Sequence, residues 1–196
     1  MKIPAVILAA GESRRMGSPK ALLVYQGETF LSRLIRVLGT SCDPVVVVLG
    51  HDAALMRQAV QGGARIVENR QYALGQLTSL QTGLRSVPAD AAYVLFTLVD
   101  HPAVSEATIA ALVNAPDSPV AVPRFEGRRG HPVRLRREVA REILALPSAG
   151  QAKTVMRAHA AGTLYLDLDD PGVVDDIDDP EAYRRLLGRE VPGAAR

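Results

Sequence analysis

The sequence has 196 residues, of which 47% are hydrophobic and 22% charged, and its formal net charge is +2 at pH 7. A chain of this length and composition can bury one sizeable core, so we expect a single globular domain. The small net charge does not indicate nucleic-acid binding through bulk electrostatics, and no apolar run approaches the roughly 20 residues that a membrane helix needs.

Two features of the sequence bear on cellular location. Residues 1–4 lead directly into an apolar run and lack the pattern of a signal peptide. Cys42 is the single cysteine, so no internal disulfide can form, which suits a reducing compartment. We therefore expect a cytoplasmic protein that binds neither nucleic acid nor membranes.

The first predicted element is a buried strand over residues 5–8, because an apolar run bounded by glycine is typical of an interior strand. Gly11 and a polar loop with Arg15 and Lys20 follow this strand. A glycine here admits a ligand close to the backbone, whose N–H groups can bind an anion. Arginine and lysine add positive charge for phosphate oxygens. The loop is therefore a candidate phosphate-binding loop, although an ordinary solvated basic loop would show the same features.

The next segments alternate between helices and strands. Thr29 is placed to cap a helix that ends at Gly39. Residues 45–49 form a β-branched run without polar alternation, which predicts a strand buried on both faces. A helix over about residues 50–60 and a short strand over residues 65–68 follow.

The central part of the chain continues this alternation. The sequence predicts a helix from Gly75 to about residue 87, a strand over residues 91–99, a helix capped by Ser105, and a strand over residues 120–122. Strands that alternate with helices predict an α/β domain with a mostly parallel sheet. Because ligands bind at the carboxyl ends of parallel strands, the loops after the first strand (residues 5–8) and the fourth strand (residues 91–99) are expected to meet at one edge.

Arginines become frequent from residue 124 onwards. We predict an insertion over about residues 124–160, which consists of a β-hairpin and two helices, and then a late strand over residues 164–166. An acidic segment leads into a helix over residues 180–187, which Asp178 or Asp179 caps. The domain would cover residues 1–187, and residues 188–196 would form a disordered tail.

Asp100 is the clearest candidate for a metal ligand. It ends a long apolar strand, where a carboxylate without a partner is costly. Mg²⁺ takes carboxylate oxygens as ligands, so a metal site would explain this position. A helix cap or a turn before Pro102 would explain it equally well, and the residues alone do not decide between these roles.

The first loop also carries a specific motif, Leu8-Ala9-Ala10-Gly11, then three residues, Arg15-Met16-Gly17, two residues and Lys20. This pattern resembles the signature of the MobA-like nucleotidyltransferases and lacks the spacing of a P-loop or a dinucleotide-binding fold. The resemblance implies a three-layer α/β sandwich with a mostly parallel, Rossmann-like nucleotidyltransferase (GT-A-like) sheet. It also implies nucleotide transfer from an NTP to a phosphorylated acceptor, with release of pyrophosphate.

The resemblance implies roles for individual residues. The predicted nucleotide-binding residues are Leu8, Ala9, Ala10, Gly11, Arg15, Lys20, Thr78 and Ser79. Arg15, Lys20 and Asp100 would act catalytically, and Asp100 and Asp178 would bind Mg²⁺, with Asp176 as the alternate to Asp178. The hydroxyls of Thr78 and Ser79 are equally suited to capping a helix.

Two histidines stand in motifs that resemble those of the family. His131, in a Gly-His-Pro motif, would bind the acceptor, although a structural role is common for a lone histidine. His101 replaces the glutamine that usually follows the metal-binding aspartate in the family, and we leave it out of the predicted metal ligands. Ala182 likewise replaces the last acidic residue of the second acidic motif.

The pair Ala9-Ala10 looks like the cytidylyltransferase form of the loop, since guanylyl-transferring relatives carry two glycines. The resemblance therefore implies CTP and a molybdopterin-type acceptor as substrates, with a molybdoenzyme or its chaperone as candidate recipient. A cytidylyltransferase for an isoprenoid or sugar phosphate and a non-catalytic nucleotide- or cofactor-binding module stay open as alternatives. The missing glycine spacing disfavours a dinucleotide-binding oxidoreductase.

Overall fold

A computed structural model describes residues 2–60 and 63–188 of the chain. The strands are β1 (Ile3–Ala9), β2 (Val24–Tyr25), β3 (Glu28–Thr29), β4 (Cys42–Leu49), β5 (Arg65–Glu68), β6 (Tyr93–Leu98), β7 (Val120–Phe125), β8 (Arg128–Arg129), β9 (Val133–Arg136) and β10 (Leu164–Asp167). The helices are α1 (Phe30–Gly39), α2 (Ala53–Ala59), α3 (Gln76–Arg85), α4 (Glu106–Val113), α5 (Arg137–Ala145), α6 (Ala152–Ala158) and α7 (Pro180–Leu187). The tail expected over residues 188–196 lies, except for Gly188, outside the described residues.

Within these residues the main sheet has eight strands, in the order β10-β7-β9-β6-β1-β4-β5, with β8 paired to β7. β6, β1, β4 and β5 run parallel to one another, and β10 runs parallel to β7. β9 is antiparallel to both β6 and β7. This confirms the mostly parallel α/β sheet that the sequence predicts.

Helices cover both faces of the sheet and complete a three-layer sandwich. α1, α2 and α4 pack on one face, where Leu34 and Ile109 are fully buried. α3, α5 and α6 pack on the other face, where Leu80 and Ile143 are buried. The continuous β-branched run of β4 contributes to both clusters, as expected for a strand buried on both sides. Among the described residues, no helix combines the length and the apolar character that crossing a membrane would require.

Three helix starts are confirmed in detail. Thr29, Ser105 and Asp179 each accept a hydrogen bond from the backbone N–H three residues later, at 3.1, 3.2 and 2.8 Å respectively. These bonds satisfy one of the backbone N–H groups that a helix leaves free at its first turn. The short polar side chains therefore set where α1, α4 and α7 begin.

The arginine-rich segment differs from the sequence prediction. β7 and β8 form the expected antiparallel hairpin, but β9 pairs with β6 and β7 inside the main sheet. β9 therefore belongs to the sheet rather than to the insertion expected over residues 124–160. Arg134 explains the difference, since it is 1% exposed and its guanidinium donates to the backbone oxygens of Ala115 and Pro116. Because an arginine is rarely buried, the sequence of β9 has the composition of a polar loop although the residue lies in the interior.

The chain passes from β1 through β4 to β5 and then returns to β6 on the other side of β1. The strand order therefore reverses between β1 and β6. In open α/β sheets, ligands bind at such a switch point, outside the carboxyl ends of the strands. The loops that follow β1 and β6 meet there.

Candidate active site

A cleft of about 380 Å³ opens at the carboxyl ends of β1 and β6. Its walls come from the loop after β1, the start of α3, the loop after β6 and the acidic segment before α7. The residues that line it include Ala9, Ala10, Gly11, Arg15, Lys20, Tyr72, Gln76, Ser79, Asp100 and Asp178. The structure thus brings together the two loops that the sequence analysis singled out.

The loop after β1 is folded back on itself around Ser13. The carbonyl oxygen of Ser13 accepts hydrogen bonds from the backbone N–H groups of Met16 and Gly17, and its hydroxyl oxygen accepts one from the N–H of Lys20 at 3.1 Å. Gly17 has a φ of +74°, which a residue with a side chain adopts at a cost. This compact turn directs the side chain of Lys20 into the cleft.

Lys20 lies between two carboxylates. Its Nζ is 3.1 Å from Oδ2 of Asp100 and also donates to Oδ1 of Asp178. Arg15 donates to the other oxygen of Asp178 from the solvent side. Lys20 has a side-chain exposure of only 11%, whereas that of Arg15 is 72%. The two predicted phosphate-binding cations are thus both in the cleft, but in this state the lysine is held by carboxylates.

These contacts shift the pKa values of the groups involved. Burial lowers the pKa of Lys20, but the nearby charges of Asp100 and Asp178 outweigh it, and the pKa is raised overall. The hydrogen bond from Lys20, with support from Arg15, lowers the pKa of Asp178 despite partial burial. Lys20 and Asp178 are therefore both charged at neutral pH.

A second acidic group faces the same carboxylates. The backbone N–H of Ile177 donates to the carbonyl oxygen of Asp100 at 3.0 Å, which brings the acidic segment against the loop after β6. Partial burial, followed by the negative charges of Asp100 and Asp178, raises the pKa of Asp176 to about 6. The crowding of negative charge at this point would be relieved by a bound cation.

The set of potential metal ligands differs from the predicted one. Asp100, His101 and Asp176 each offer one ligand atom, and these atoms lie within 4.8 Å of one another. Asp178, which we predicted as a ligand, has its two oxygens engaged by Lys20 and Arg15 instead. The sequence signal for Asp176 was the acidic motif itself, but its spacing could not tell which carboxylate faces Asp100.

The residues predicted to contact the nucleotide divide into two groups. Ala9 and Ala10 line the cleft from opposite faces of the sheet, since Ala9 packs with one core cluster and Ala10 with the other. Ser79 also lines the cleft. Thr78 does not, and its hydroxyl accepts a hydrogen bond from Nδ2 of Asn69 and lies 2.9 Å from the carbonyl oxygen of Gly75. Thr78 is placed to hold the start of α3 rather than to line the cleft.

The cleft also contains residues that the sequence analysis missed. Tyr72 and Gln76 line its wall beside Ser79, and Ser13 shapes the loop that carries Lys20. The serine follows the motif glycine by two residues, and this position is the only sequence signal for it. Tyr72 lies three residues before Gly75 and Gln76 directly after it, so the glycine turn before α3 was the available signal for both.

A second cavity, of about 730 Å³, adjoins the first, and Leu98 lines both. Its lining includes His101, His131, Tyr165 and Asp176, with a basic rim formed by Arg128, Arg129, Lys153 and Arg157. His131, the predicted acceptor-binding residue, lies here and not in the first cleft. Its ring centroid is 5.0 Å from that of His101, and burial, with a smaller effect of His101, lowers the pKa of His131 to about 4. Both imidazoles are therefore neutral at physiological pH, because burial and then the charge of Lys20 lower the pKa of His101 to about 4 as well.

Comparisons with known proteins cover most of the chain. Residues 5–163 match the family model described as the MobA-like NTP transferase domain. The chain is 29% identical over 184 residues to the protein named probable molybdenum cofactor guanylyltransferase of Mycobacterium ulcerans (strain Agy99), covering 90% of this chain and 89% of that protein. It is 24% identical over 184 residues to the protein named molybdenum cofactor cytidylyltransferase of Escherichia coli (strain K12), covering 92% of this chain and 93% of that protein.

Solved structures show the same extent of similarity. The crystal structure of Rv0371c from Mycobacterium tuberculosis H37Rv matches with a TM-score of 0.79 and 30% identity, over 97% of this chain and 100% of that one. A structure described as Rv0371c in complex with manganese matches with a TM-score of 0.75 and 29% identity, over 95% and 98% of the two chains. Relatives named for either base align along nearly the whole sequence, so overall similarity does not choose between CTP and GTP.

Proposed function

Because the chain belongs to the MobA-like NTP transferase family, we propose that it is a molybdenum cofactor cytidylyltransferase. It would transfer CMP from CTP to the phosphate of a molybdopterin-type acceptor and release pyrophosphate. The observation that carries the proposal is the pair of adjoining cavities, since one has the alanine pair and the cations and the other has a basic rim. Carboxylates lie at the boundary between them.

The reaction would join the nucleotide bound in the first cavity to the acceptor bound in the second. An oxygen of the acceptor phosphate attacks the α-phosphorus of CTP, the bond from that phosphorus to the oxygen bridging the β-phosphorus breaks, and pyrophosphate leaves with the electron pair. Transfer of this kind depends mainly on positioning and on neutralising charge. Arg15 and Lys20 would bind the triphosphate, and their positive charge would stabilise the charge that grows on the leaving group. The ammonium of Lys20 has three N–H donors, and Asp100 and Asp178 accept two of them, so the third would donate to the triphosphate.

A divalent cation fits the carboxylates at the boundary. Oδ1 of Asp100 is buried without a hydrogen-bond partner among the described residues, and the carboxylate of Asp176 lies nearby. Mg²⁺, which takes oxygen ligands and keeps several waters, would supply charge neutralisation at the phosphates when bound. Asp100 and Asp176 would hold it, and Asp178 would keep Arg15 and Lys20 in position. The related Rv0371c forms a complex with manganese, which supports a role for a divalent ion here as well.

The alanine pair supports CTP over GTP. Both alanines line the cleft, and glycines at these positions would leave more space for the base, so a purine would have less room in the wild type. Ala10 lies on the same face as Leu77 and Leu80 of α3, the helix that carries Gln76 and Ser79. Ala9 lies on the other face, with Ala21 and Met56. Ala10 is therefore the better candidate for contact with the base.

The test compares CTP and GTP in pyrophosphate release with molybdenum-loaded molybdopterin, using wild type, Ala9→Gly, Ala10→Gly and the double variant. One methyl group is worth about 1–3 kcal/mol, or roughly 10–200-fold in discrimination. We expect the wild type to prefer CTP, and we expect Ala10→Gly to narrow the ratio of kcat/KM values more than Ala9→Gly, mainly by improving GTP.

Ala121→Gly is the matched control, because it removes a fully buried methyl group from β7 without touching the cleft. Ala121→Gly should leave the ratio of kcat/KM values for CTP and GTP unchanged. The cytidylyl assignment would be contradicted if the wild type preferred GTP, or if the glycine substitutions left the ratio of kcat/KM for CTP and GTP unchanged. Neither result would contradict nucleotidyl transfer itself. Isoprenoid and sugar phosphates as acceptors distinguish the alternative cytidylyltransferases, and CTP binding without turnover on any acceptor would indicate a binding module.

A further inference from the structure

We propose that His101 is a metal ligand, so that the cation site is a mixed site of one imidazole and two carboxylates, those of Asp100 and Asp176. The inference rests on the proposed function in that it concerns the same cation. The inference goes beyond the proposed function because it assigns His101 as a ligand and, from the nitrogen of that ligand, the class of metal ion. The family resemblance by itself does not place His101 among the metal ligands.

The geometry of the three side chains suits one shared ion. Nε2 of His101 lies 3.8 Å from Oδ1 of Asp100, which is too far for a hydrogen bond. Two atoms bound to one ion at about 2.1 Å lie about 3.0–4.2 Å apart in an octahedral site. The ligand atom of Asp176 lies within 4.8 Å of the other two, so a small side-chain rotation completes the set.

A buried carboxylate oxygen without a partner points to the same place. Among the described residues, Oδ1 of Asp100 is buried and has no hydrogen-bond partner, and it is the oxygen that Nε2 of His101 faces. The side chain of His101 is only 7% exposed. Buried polar atoms are nearly always satisfied, and a bound ion is one of the explanations for an exception.

The net charge around the site is negative, which favours binding of a cation. Asp100, Asp176 and Asp178 contribute three carboxylates, and Lys20 and Arg15 contribute two positive charges. One negative charge is therefore left uncompensated. Lys20 occupies Oδ2 of Asp100 but leaves Oδ1 free, so a cation can bind on the side of His101 without displacing the lysine.

The nitrogen ligand has a consequence for selectivity. Mg²⁺ prefers oxygen ligands and rarely takes imidazole, whereas first-row transition-metal dications accept both. A site made of carboxylates alone would hold Mg²⁺ and Mn²⁺ with more similar affinities. With His101 as a ligand, we expect this chain to bind Mn²⁺ more tightly than Mg²⁺ in the absence of nucleotide.

The first experiment needs no substitution. Mn²⁺ is added to the full-length protein without nucleotide, and electron spin-echo envelope modulation detects nitrogen bound directly to the ion. We expect modulation from ¹⁴N that changes to the ¹⁵N pattern in protein labelled with ¹⁵N only in histidine. Absence of histidine nitrogen coupling to bound Mn²⁺ would overturn the proposal.

The second experiment assigns the nitrogen to His101. His101→Gln replaces the imidazole with an amide, and we expect it to abolish the histidine coupling. The Kd for Mn²⁺ should rise at least about 10-fold, whereas that for Mg²⁺ should change little. His159→Gln is the matched control, because His159 is held by Glu142 on the surface and should leave both constants unchanged. Coupling that persists in His101→Gln would contradict the assignment.

Failure of this inference and failure of the proposed function have different signatures. If only the inference fails, His101→Gln still transfers CMP with Mg²⁺ and wild-type protein shows no nitrogen coupling to Mn²⁺. If only the proposed function fails, the coupling is present but CTP is not turned over with molybdopterin. Asp176→Asn provides a second test of the ligand set, since it should weaken Mn²⁺ and Mg²⁺ binding together while keeping the nitrogen coupling.

Discussion

Lys20 and Arg15 meet the same carboxylate from two very different environments. The ammonium of Lys20 is largely buried between Asp100 and Asp178, whereas the guanidinium of Arg15 approaches Asp178 from solvent. An exposed ion pair contributes little to stability, but a buried charge that loses its partner is costly. The two residues should therefore have similar effects on turnover and different effects on stability.

Lys20→Ala should lower the free energy of unfolding by about 1–3 kcal/mol, because it leaves Asp100 without its cation. Arg15→Ala should change it by less than about 0.5 kcal/mol. Either variant should lower kcat for pyrophosphate release by about 10²–10³-fold, since each removes a charge that stabilises the transition state. Denaturant unfolding and steady-state assays measure the two effects separately.

Arg85→Ala serves as the control, because Arg85 is exposed at the end of α3 and does not line the cleft. Equal stability of Lys20→Ala and wild type would show that the lysine does not hold the carboxylates in solution. Wild-type turnover in both cleft variants would remove the loop from the mechanism.

At this scale the sequence predicted which residue types meet, but not all of their contacts. It identified Lys20 and Asp100, because a phosphate-loop cation and a carboxylate at a strand end both have strong positional signals. It ranked Asp178 above Asp176 as a metal ligand, whereas Asp176 is the one grouped with Asp100, because two side chains that are two residues apart in a loop can point either way. It could not separate Thr78 from Ser79, since hydroxyls at a helix start serve the backbone and a ligand equally well.

At the scale of elements, residues 170–178 form a strap that joins three parts of the site. Asp170 begins it, and its carboxylate accepts hydrogen bonds from the N–H of Ser105 and from the hydroxyl of Thr108. The carbonyl oxygen of Val173 accepts the N–H of His131, and the N–H of Ile177 donates to Asp100. The strap therefore fixes Asp176 and Asp178 relative to both cavities.

Gly172→Ala should displace this strap. The added Cβ would lie 2.7 Å from the backbone nitrogen of Val104, and still closer to the carbonyl of Ala103, so backbone must move. We expect weaker binding of the divalent cation by at least about 10-fold, because Asp176 shifts while its chemistry is unchanged. Titration with Mn²⁺ measures this directly.

Gly39→Ala is the control for the glycine substitution, because a Cβ at residue 39 would meet no neighbouring atom within 4 Å. Thermal unfolding of both variants separates displacement of the strap from global instability. Unchanged Mn²⁺ affinity in a folded Gly172→Ala protein would show that the strap does not set the position of Asp176.

The elements that the sequence predicted well are those with local signals. α1, α4 and α7 begin at the predicted caps, because a short polar side chain that can accept from the N–H three residues later is a local signal for the first residue of a helix. β9 lacked such a signal, since it has four residues with two arginines. Its place between β6 and β7 depends on non-local pairing and on the cradle that buries Arg134, with the ring of Tyr93 4.3 Å away. Neither is visible in the order of residues.

At the scale of the whole molecule, the two cavities lie at different halves of the sheet. The parallel half, around β1 and β6, carries the cleft with the alanine pair and the cations. The half that contains β7, β8 and β10, together with α6, carries the second cavity and its basic rim. If the nucleotide binds in the first and the acceptor in the second, substitutions in one half should change one binding constant and not the other.

Arg129→Ala combined with Lys153→Ala tests this division. Both residues line the second cavity, from β8 and from α6, and neither lines the first. A hydrogen bond to a charged group contributes about 1.5–3 kcal/mol. The loss of two such hydrogen bonds to the acceptor should therefore raise the KM for a phosphorylated acceptor by at least about 10-fold. The Kd for CTP, measured by calorimetry without acceptor, should stay at the wild-type value. If CTP binding weakens and the KM for the acceptor does not change, the two cavities have been assigned the wrong way round.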